Sequence, residues 1–571
     1  MKKSSKLLAL LLAAAMTLSV LSGCGNAASA KALDSDEADF NRVTVDYTPT
    51  DAEFYEYPER TVVDYSEMSR DLYDRDVMYS IIAEMDELCE TEGNLSKLKG
   101  LWNALIDEHD KLNTQYSLIN NDYYIDNSEE NGDRLTEFEM EATEVADEMC
   151  IVMKKVLESD LYGEDMANYI NSELVVDDFL SYTAMTDRAF ELQEEYSRLV
   201  QEYYSLYDED DLDAMAELYL KILDNLIASN AEDGEYDTYA EYAYANIYWR
   251  DFAPDESEAL YEWTKEYIVP YFFQVIYAIN YFYYNDYMAY MAMDLEQDDI
   301  VSRVQPYVST VSDSAAEIFE EMVNYHLLDI DASDTKNEGG YTTSLNYYGT
   351  NFIFSSHDGY GRDVETLIHE FGHFYEGCVN SMPVMYEYDC YDLCEIDSQG
   401  MEMLMMKYAD KIYGSEYTEI VRLFNLYNMF SSIIDGCVFD EFQQKALAGR
   451  MDGTISTVDD LNDLFIGIEE SYYGEGSYNW GEYWVEVPHS YESPFYYISY
   501  ATSATAALGI LAVSEENYDE AVDLYNELVE MGNDNGFMET LDVLGIPNPL
   551  TTAGQAAIEE GLTPYLDSIL G

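Results

Sequence analysis

Asp363-Val-Glu-Thr-Leu-Ile-His-Glu-Phe-Gly-His373 is the stretch on which the reading of the whole chain turns. Its apolar residues Val364, Leu367 and Phe371, continued by Phe374 and Tyr375, recur at helical spacing, and Asp363 stands where an N-cap belongs. The pattern predicts a helix, which sets His369 and His373 one turn apart on one face. Two imidazoles so placed can reach a single Zn²⁺ at roughly 2.0–2.1 Å. Glu370 follows the first histidine and can face a water at the metal rather than the metal itself. Gly372 should cost the helix about 1 kcal/mol relative to alanine. Close approach of another backbone, or of a substrate, would account for it.

A zinc site of catalytic type needs a third protein ligand and one open position. A longer three-histidine pattern would require a glycine at position 376 and a histidine at 379; the chain has Glu376 and Val379. Asp392 falls at a spacing used by some zinc hydrolases, but its side chain is short. Glu395 is the better candidate. With Ser398, Gln399 and Glu402 it forms one helical face, so one carboxylate can bind metal while Glu402, two turns on, hydrogen-bonds a ligand imidazole. Histidine is scarce here, with six in all: His109, His326, His357, His369, His373 and His489. His357, in a Ser/Asp/Gly-rich loop, reads as an exposed turn residue.

Around this core the composition sets limits. The chain has 571 residues, 48% of them hydrophobic, enough for two or more sub-domains. Its 116 Asp and Glu against 27 Lys and Arg give a formal net charge of -89. Such a surface repels nucleic acid and anionic lipid, and it attracts cationic ligands. Tyrosine (56) far outnumbers phenylalanine (21) and tryptophan (5), which favours half-buried helix and groove surfaces with wet hydroxyls.

Met1-Lys-Lys-Ser-Ser-Lys6 and the apolar run Leu7–Val20 read as an export signal, too short for the ~20 residues a spanning helix needs. The run ends in Leu21-Ser-Gly-Cys24, which resembles a bacterial lipobox and implies cleavage after residue 23 and lipid on Cys24. Residues 24–64 are polar and acidic, a tether. Helical periodicity then dominates to about 330, and residues 65–200 read as an N-terminal helical domain ahead of a second domain at 201–571. Tyr341–Leu345 and Asn351–Ser355, broken by Gly349, read as two short strands. A strand immediately before the histidine-bearing helix is a natural place to pair with an extended peptide. Cys89, Cys150, Cys378, Cys390, Cys394 and Cys437 form no disulfide framework and read as buried thiols, although a bridge from Cys378 to the Cys390/Cys394 pair is conceivable.

Three blocks in order carry a resemblance: Gly339-Gly-Tyr341 through His373, Glu395-Ile-Asp-Ser-Gln-Gly-Met-Glu402, and His489-Ser-Tyr-Glu-Ser-Pro-Phe-Tyr-Tyr-Ile-Ser-Tyr-Ala-Thr502. Together they resemble the M3 family of zinc metallopeptidases, in its oligoendopeptidase F branch. Trp249-Arg-Asp-Phe-Ala-Pro254 is a weaker match, and the N-terminal half resembles the family only in its helical character. The resemblance implies a mainly α, gluzincin-type fold: two helical halves enclosing a deep substrate channel, with a small β-sheet beside the helix of His369 and His373. It implies one Zn²⁺ held by His369, His373 and Glu395, with Glu370 as general base. It further implies that His489 and a nearby tyrosine stabilise the oxyanion; of Tyr491, Tyr496, Tyr497 and Tyr500, the reading favours Tyr497 and Tyr500. Tyr473-Gly-Glu-Gly-Ser-Tyr-Asn-Trp-Gly481 resembles the family's glycine loop. Asp397 stands where this branch often has histidine, which bears on tuning and leaves the ligand set intact.

The expectation is therefore an exported zinc endopeptidase acting on short peptides, basic ones by preference, touching the outer face of a bacterial membrane only through lipid on Cys24. The alternative is a catalytically silent surface lipoprotein that binds peptides. That alternative expects loss of Glu370 or of a ligand, and none is lost.

Overall fold

The computed structural model describes residues 40–182, 186–209, 211–337, 339–356, 360–533 and 535–570. The signal segment, Cys24, the first part of the tether and His357 lie outside them. The protein is mainly helical, with one three-stranded sheet. It forms two compact units, neither of them a single continuous stretch of sequence. Of the described residues, the first takes those up to 182, then 318–356 and 377–388; the second takes those in 186–317, 360–376 and 389–570.

In the first unit, Arg75–Cys89, Leu95–Ile125 and Glu129–Leu157 pack around a dry core of Met78, Leu101, Trp102, Leu105 and Met153, none of them exposed. Burying such side chains stabilises the unit by roughly 1.5–3 kcal/mol each. The first of these helices is capped by Asp74, whose side chain accepts the Val77 N–H. The sheet belongs to this unit. β1 (Leu328–Asp329) pairs parallel with β3 (Thr350–Ser355), and β2 (Gly340–Leu345) pairs antiparallel with it, from Gly340 opposite Ser355 to Leu345 opposite Thr350. Gly349, at φ 62°, makes the turn into β3. Every residue of β3 is buried. Because β3 is central and paired on both sides, it is not open to an added strand, contrary to the expectation of peptide pairing there; β2 is left at the sheet's edge.

In the second unit four helices matter most. The histidine helix is Asp363–Val379, the glutamate helix Tyr391–Met405, the long helix Thr418–Asp452 and the tyrosine helix Ile498–Glu516. The last turn of the histidine helix, from Gly377, falls in the first unit, where the Asn351 side chain of β3 lies 3.8 Å from Cys378 Sγ. The tyrosine helix is buried almost all round and rich in Ala, Ser, Thr and Gly, so neighbouring backbones come close. At Gly436 of the long helix, a Cβ would lie 2.8 Å from both Ala501 Cβ and the Tyr497 carbonyl oxygen.

Cys89, Cys378, Cys390, Cys394 and Cys437 are free thiols, so no bridge joins Cys378 to Cys390 or Cys394. Cys150 is buried in the core of the first unit. Among the described residues, no helix is long and apolar enough to cross a membrane.

Candidate metal centre

The histidine helix buries Val364, Leu367, Ile368, Phe371 and Phe374, which fixes its rotation. His369 and His373 leave this stripe half-buried on the facing side, with ring centroids 5.2 Å apart. Asp363 is the first helical residue and not the cap; its carboxylate accepts the Tyr360 N–H.

Gly372 explains how the glutamate helix comes so near. A Cβ there would sit 2.5 Å from the Asp397 carbonyl oxygen and 2.5 Å from Ser398 Cα. The backbone of the glutamate helix therefore lies directly against the histidine helix, one of the two reasons expected for a glycine here. Glu395 Oε2 stands 3.3 Å from His369 Nε2 and 3.8 Å from His373 Nε2. Tetrahedral zinc with bonds near 2.1 Å sets its ligand atoms roughly 3.4 Å apart, so these residues fit the ion. The three are the group among the described residues that could hold a metal.

The shell behind them is polar and ordered. Glu402 Oε1 lies 2.7 Å from His369 Nδ1, and Glu402 Oε2 accepts from Asn425 Nδ2 of the long helix at 2.8 Å. Ser398 Oγ donates to Glu395 Oε2 at 3.1 Å. Burial pushes the His373 imidazole down to about 4, against the pull of Glu395, so it is neutral, as a ligand must be. At His369 burial is outweighed by hydrogen bonds to Glu395 and Glu402, which raise its imidazole well above the usual histidine range. Burial alone would raise Glu395; its hydrogen bond to His369 and the charge on that ring overcome it and hold the carboxyl down to about 2. Glu370 is buried beside His369.

His489 is buried, and neither ring nitrogen has a hydrogen-bond partner among the described residues. Desolvation pushes it down to about 3, so it is a neutral imidazole. It packs against Tyr496, Tyr497 and Tyr500, with ring centroids at 5.7, 5.3 and 6.2 Å. The tyrosines divide by their charged neighbours. Tyr496 and Tyr500 are held protonated by burial and feel the Glu395 carboxylate, whereas Tyr497 packs on Phe439 and feels Asp435 instead. The Tyr500 hydroxyl is buried without a hydrogen-bond partner among the described residues. Of the two tyrosines favoured from sequence, only Tyr500 has Glu395 among its charged neighbours, and Tyr496 joins it. Tyr491 points elsewhere, its hydroxyl donating to the Met215 carbonyl at 3.1 Å. Asp392 is no ligand: it is buried in an ion pair with Arg250.

Residues 306–560 match the model of peptidase family M3. That segment takes in His369, Glu370, His373, Glu395, Glu402, Asn425, His489, Tyr496 and Tyr500. Oligoendopeptidase F (chromosomal) of Lactococcus lactis subsp. cremoris is 24% identical over 274 residues, which are 47% of this chain and 43% of the relative. The match thus spans less than half the length of that relative. A 3.1 Å X-ray structure of a candidate oligoendopeptidase F shares the fold at a TM-score of 0.72 and 20% identity, covering 89% of this chain and 99% of the other. PZ peptidase A with an inhibitor does so at 0.70 and 18%, covering 89% and 100%.

Asn425 is the functional candidate that sequence reasoning missed. It lies on a different helix from Glu402, and no local spacing links the two. Tyr496 was within the quoted block, and only the path of the turn before the tyrosine helix distinguishes it from Tyr497.

Proposed function

We propose that the protein is a zinc-dependent endopeptidase that hydrolyses short peptides. The observation that carries this reading is the convergence of His369, His373 and Glu395 on one point, with Glu402 behind His369, inside a family M3 segment. When bound, zinc supplies Lewis acidity to the scissile carbonyl and makes water acidic. Glu370 takes the proton of the attacking water and delivers it to the leaving amine. His489 donates as a neutral imidazole, and Tyr500 or Tyr496 donates its hydroxyl, to the oxygen that becomes negative. Glu402 accepts from His369 Nδ1, which would hold the ring in place and leave Nε2 of the neutral imidazole free to bind the metal. The lysines at the N-terminus, the short apolar run and Cys24 support export and a lipid anchor on the outer face of a bacterial membrane.

Metal analysis and peptide cleavage by the soluble chain from residue 25, beside Glu370→Gln, test the reading. About one zinc per chain is expected in both, with cleavage in the parent alone. Cleavage that survives in Glu370→Gln removes the proposed base. A parent without zinc removes the site, and a parent with zinc that cleaves no peptide leaves the silent peptide-binding lipoprotein.

A further inference from the structure

Arg250 has no exposed side-chain surface, and its guanidinium donates hydrogen bonds in two directions. Nε donates to Asp392 Oδ2 at 2.8 Å. Nη1 donates to the Phe495 carbonyl at 2.9 Å, and Nη2 to Ser499 Oγ at 2.8 Å and to the Tyr496 carbonyl at 3.4 Å. Asp392 opens the glutamate helix, one turn before Glu395. Phe495 and Tyr496 lie in the turn that connects His489 to the tyrosine helix, and Ser499 is in that helix's first turn. One guanidinium therefore ties the helix of a metal ligand to the segment bearing His489, Tyr496 and Tyr500.

The turn needs such a tie. Phe495 sits at φ 71°, a left-handed conformation that a non-glycine side chain rarely adopts. Its N–H donates to Gln443 Oε1 at 2.5 Å, and Tyr248 OH donates to the Pro494 carbonyl at 2.8 Å. On the other side, Thr502 Oγ1 donates to Asp392 Oδ1 at 2.5 Å and Ser503 Oγ to the Asp392 carbonyl at 2.7 Å. A buried ion pair adds little net stability beside an apolar substitute, so stability alone does not account for this one. What a planar fork of fixed donors provides is geometry. Tyr244 and Tyr248 hold that plane, their ring centroids 4.2 and 4.6 Å from the guanidinium carbon.

We infer that Arg250 is a positioning residue: through the Phe495–Tyr496 carbonyls and Ser499 it sets the tyrosine and His489 donors against the metal centre. The inference rests on the endopeptidase reading above. A lysine keeps the charge but cannot span Asp392 and both carbonyls, so the donors lose their aim while the metal ligands stay in place.

The test compares the zinc-loaded chain from residue 25 with Arg250→Lys, Tyr500→Phe and Tyr496→Phe, and with Arg250→Lys combined with each tyrosine change. The readouts are zinc content, urea unfolding, kcat and KM on one peptide, and the affinity of a phosphinic peptide that mimics the tetrahedral oxyanion. In Arg250→Lys, zinc and cooperative unfolding should persist, KM should move by less than ~3-fold, and kcat and phosphinic-peptide affinity should fall together by ~100-fold, the scale of one lost oxyanion donor. Combined with the Phe change at the working tyrosine, the losses should not multiply. Should Arg250→Lys fail to fold, Ser499→Ala decides in its place: it removes one bond to Arg250 and should lower kcat by ~3–10-fold with zinc retained. Unchanged kcat in the variant that folds, or losses that multiply with both tyrosine changes, overturns the inference. A parent chain that cleaves no peptide overturns the endopeptidase reading, and this inference with it.

Discussion

Glu402 spends both carboxylate oxygens on holding others in place, one on His369 Nδ1 and one on Asn425. Removing it frees the imidazole to rotate and to change tautomer, so Glu402→Ala should weaken zinc binding by ~10–100-fold, and Glu402→Gln by less. Competition with a chelating dye measures this directly, and equal affinities would show the contact to be incidental. Asp435 gives a pH prediction. Desolvation pushes its carboxyl up to about 7 and the charge of Glu469 adds to this, against a hydrogen bond from Trp480 Nε1 at 3.2 Å. The folded state thus keeps a proton that the unfolded chain releases near the ordinary carboxyl value of 3.8. The stability this contributes is fully present below about 3.8, falls by at most about 1.4 kcal/mol per pH unit, and is lost once pH has risen through about 7. In metal-free protein, Asp435→Asn should therefore unfold at higher urea than the parent at pH 7.5, with the two converging near pH 4. Parallel pH profiles would exclude it. Residue-scale chemistry was legible where it follows helical spacing, as with His369, His373, Glu395 and Glu402. Asn425 and Asp392 were not, because their partners come from distant elements.

Between elements, the decisive contact is made by a residue with no side chain. Gly372 lets the Asp397–Ser398 backbone lie against the histidine helix, and Glu395 comes within reach of His369 and His373 because these helices approach so closely. An added methyl 2.5 Å from backbone atoms cannot be relieved by a rotamer change, so the helices must part. Gly372→Ala gains about 1 kcal/mol of helix propensity and loses 1–3 kcal/mol or more to overpacking. Its expected signature is a modest net loss of stability in urea unfolding with a larger loss of zinc affinity, since Glu395 is carried away from the imidazoles. Undiminished zinc affinity would contradict the packing argument. The cost of this glycine was visible in the sequence; which of its two explanations holds was not. The sheet divides in the same way. β2 and β3 announced themselves by β-branched and aromatic residues, whereas β1 is two residues long, too short for any alternation to register, and it converts β3 from an edge into a centre. The interleaving of the two units was hidden as well. Helical periodicity shows which face is buried but not which distant segment covers it.

At the scale of the whole molecule, charge is the property that the fold leaves unbalanced. The 27 basic residues cannot neutralise 116 acidic ones, and several of the best-placed are already paired inside, as Arg250 is with Asp392 and Arg60 with Asp110. The surface therefore carries a negative field, which raises the local concentration of cations and lowers that of anions. For the peptidase proposed above this would discriminate before any subsite is reached, acting on the encounter rather than on the chemical step. Two peptides with the same scissile bond, one flanked by lysines and one by glutamates, should then differ by ~10-fold or more in kcat/KM at low ionic strength, and much less in kcat. Screening sets the control. The Debye length falls from ~30 Å at 0.01 M to ~3 Å at 1 M salt, so a difference made by the distributed field should collapse across that range. A preference that persists at high salt would instead reflect a specific acidic pocket, with close contacts that salt does not reach. Equal rates for the two peptides at 0.01 M salt would show that the charge serves solubility alone.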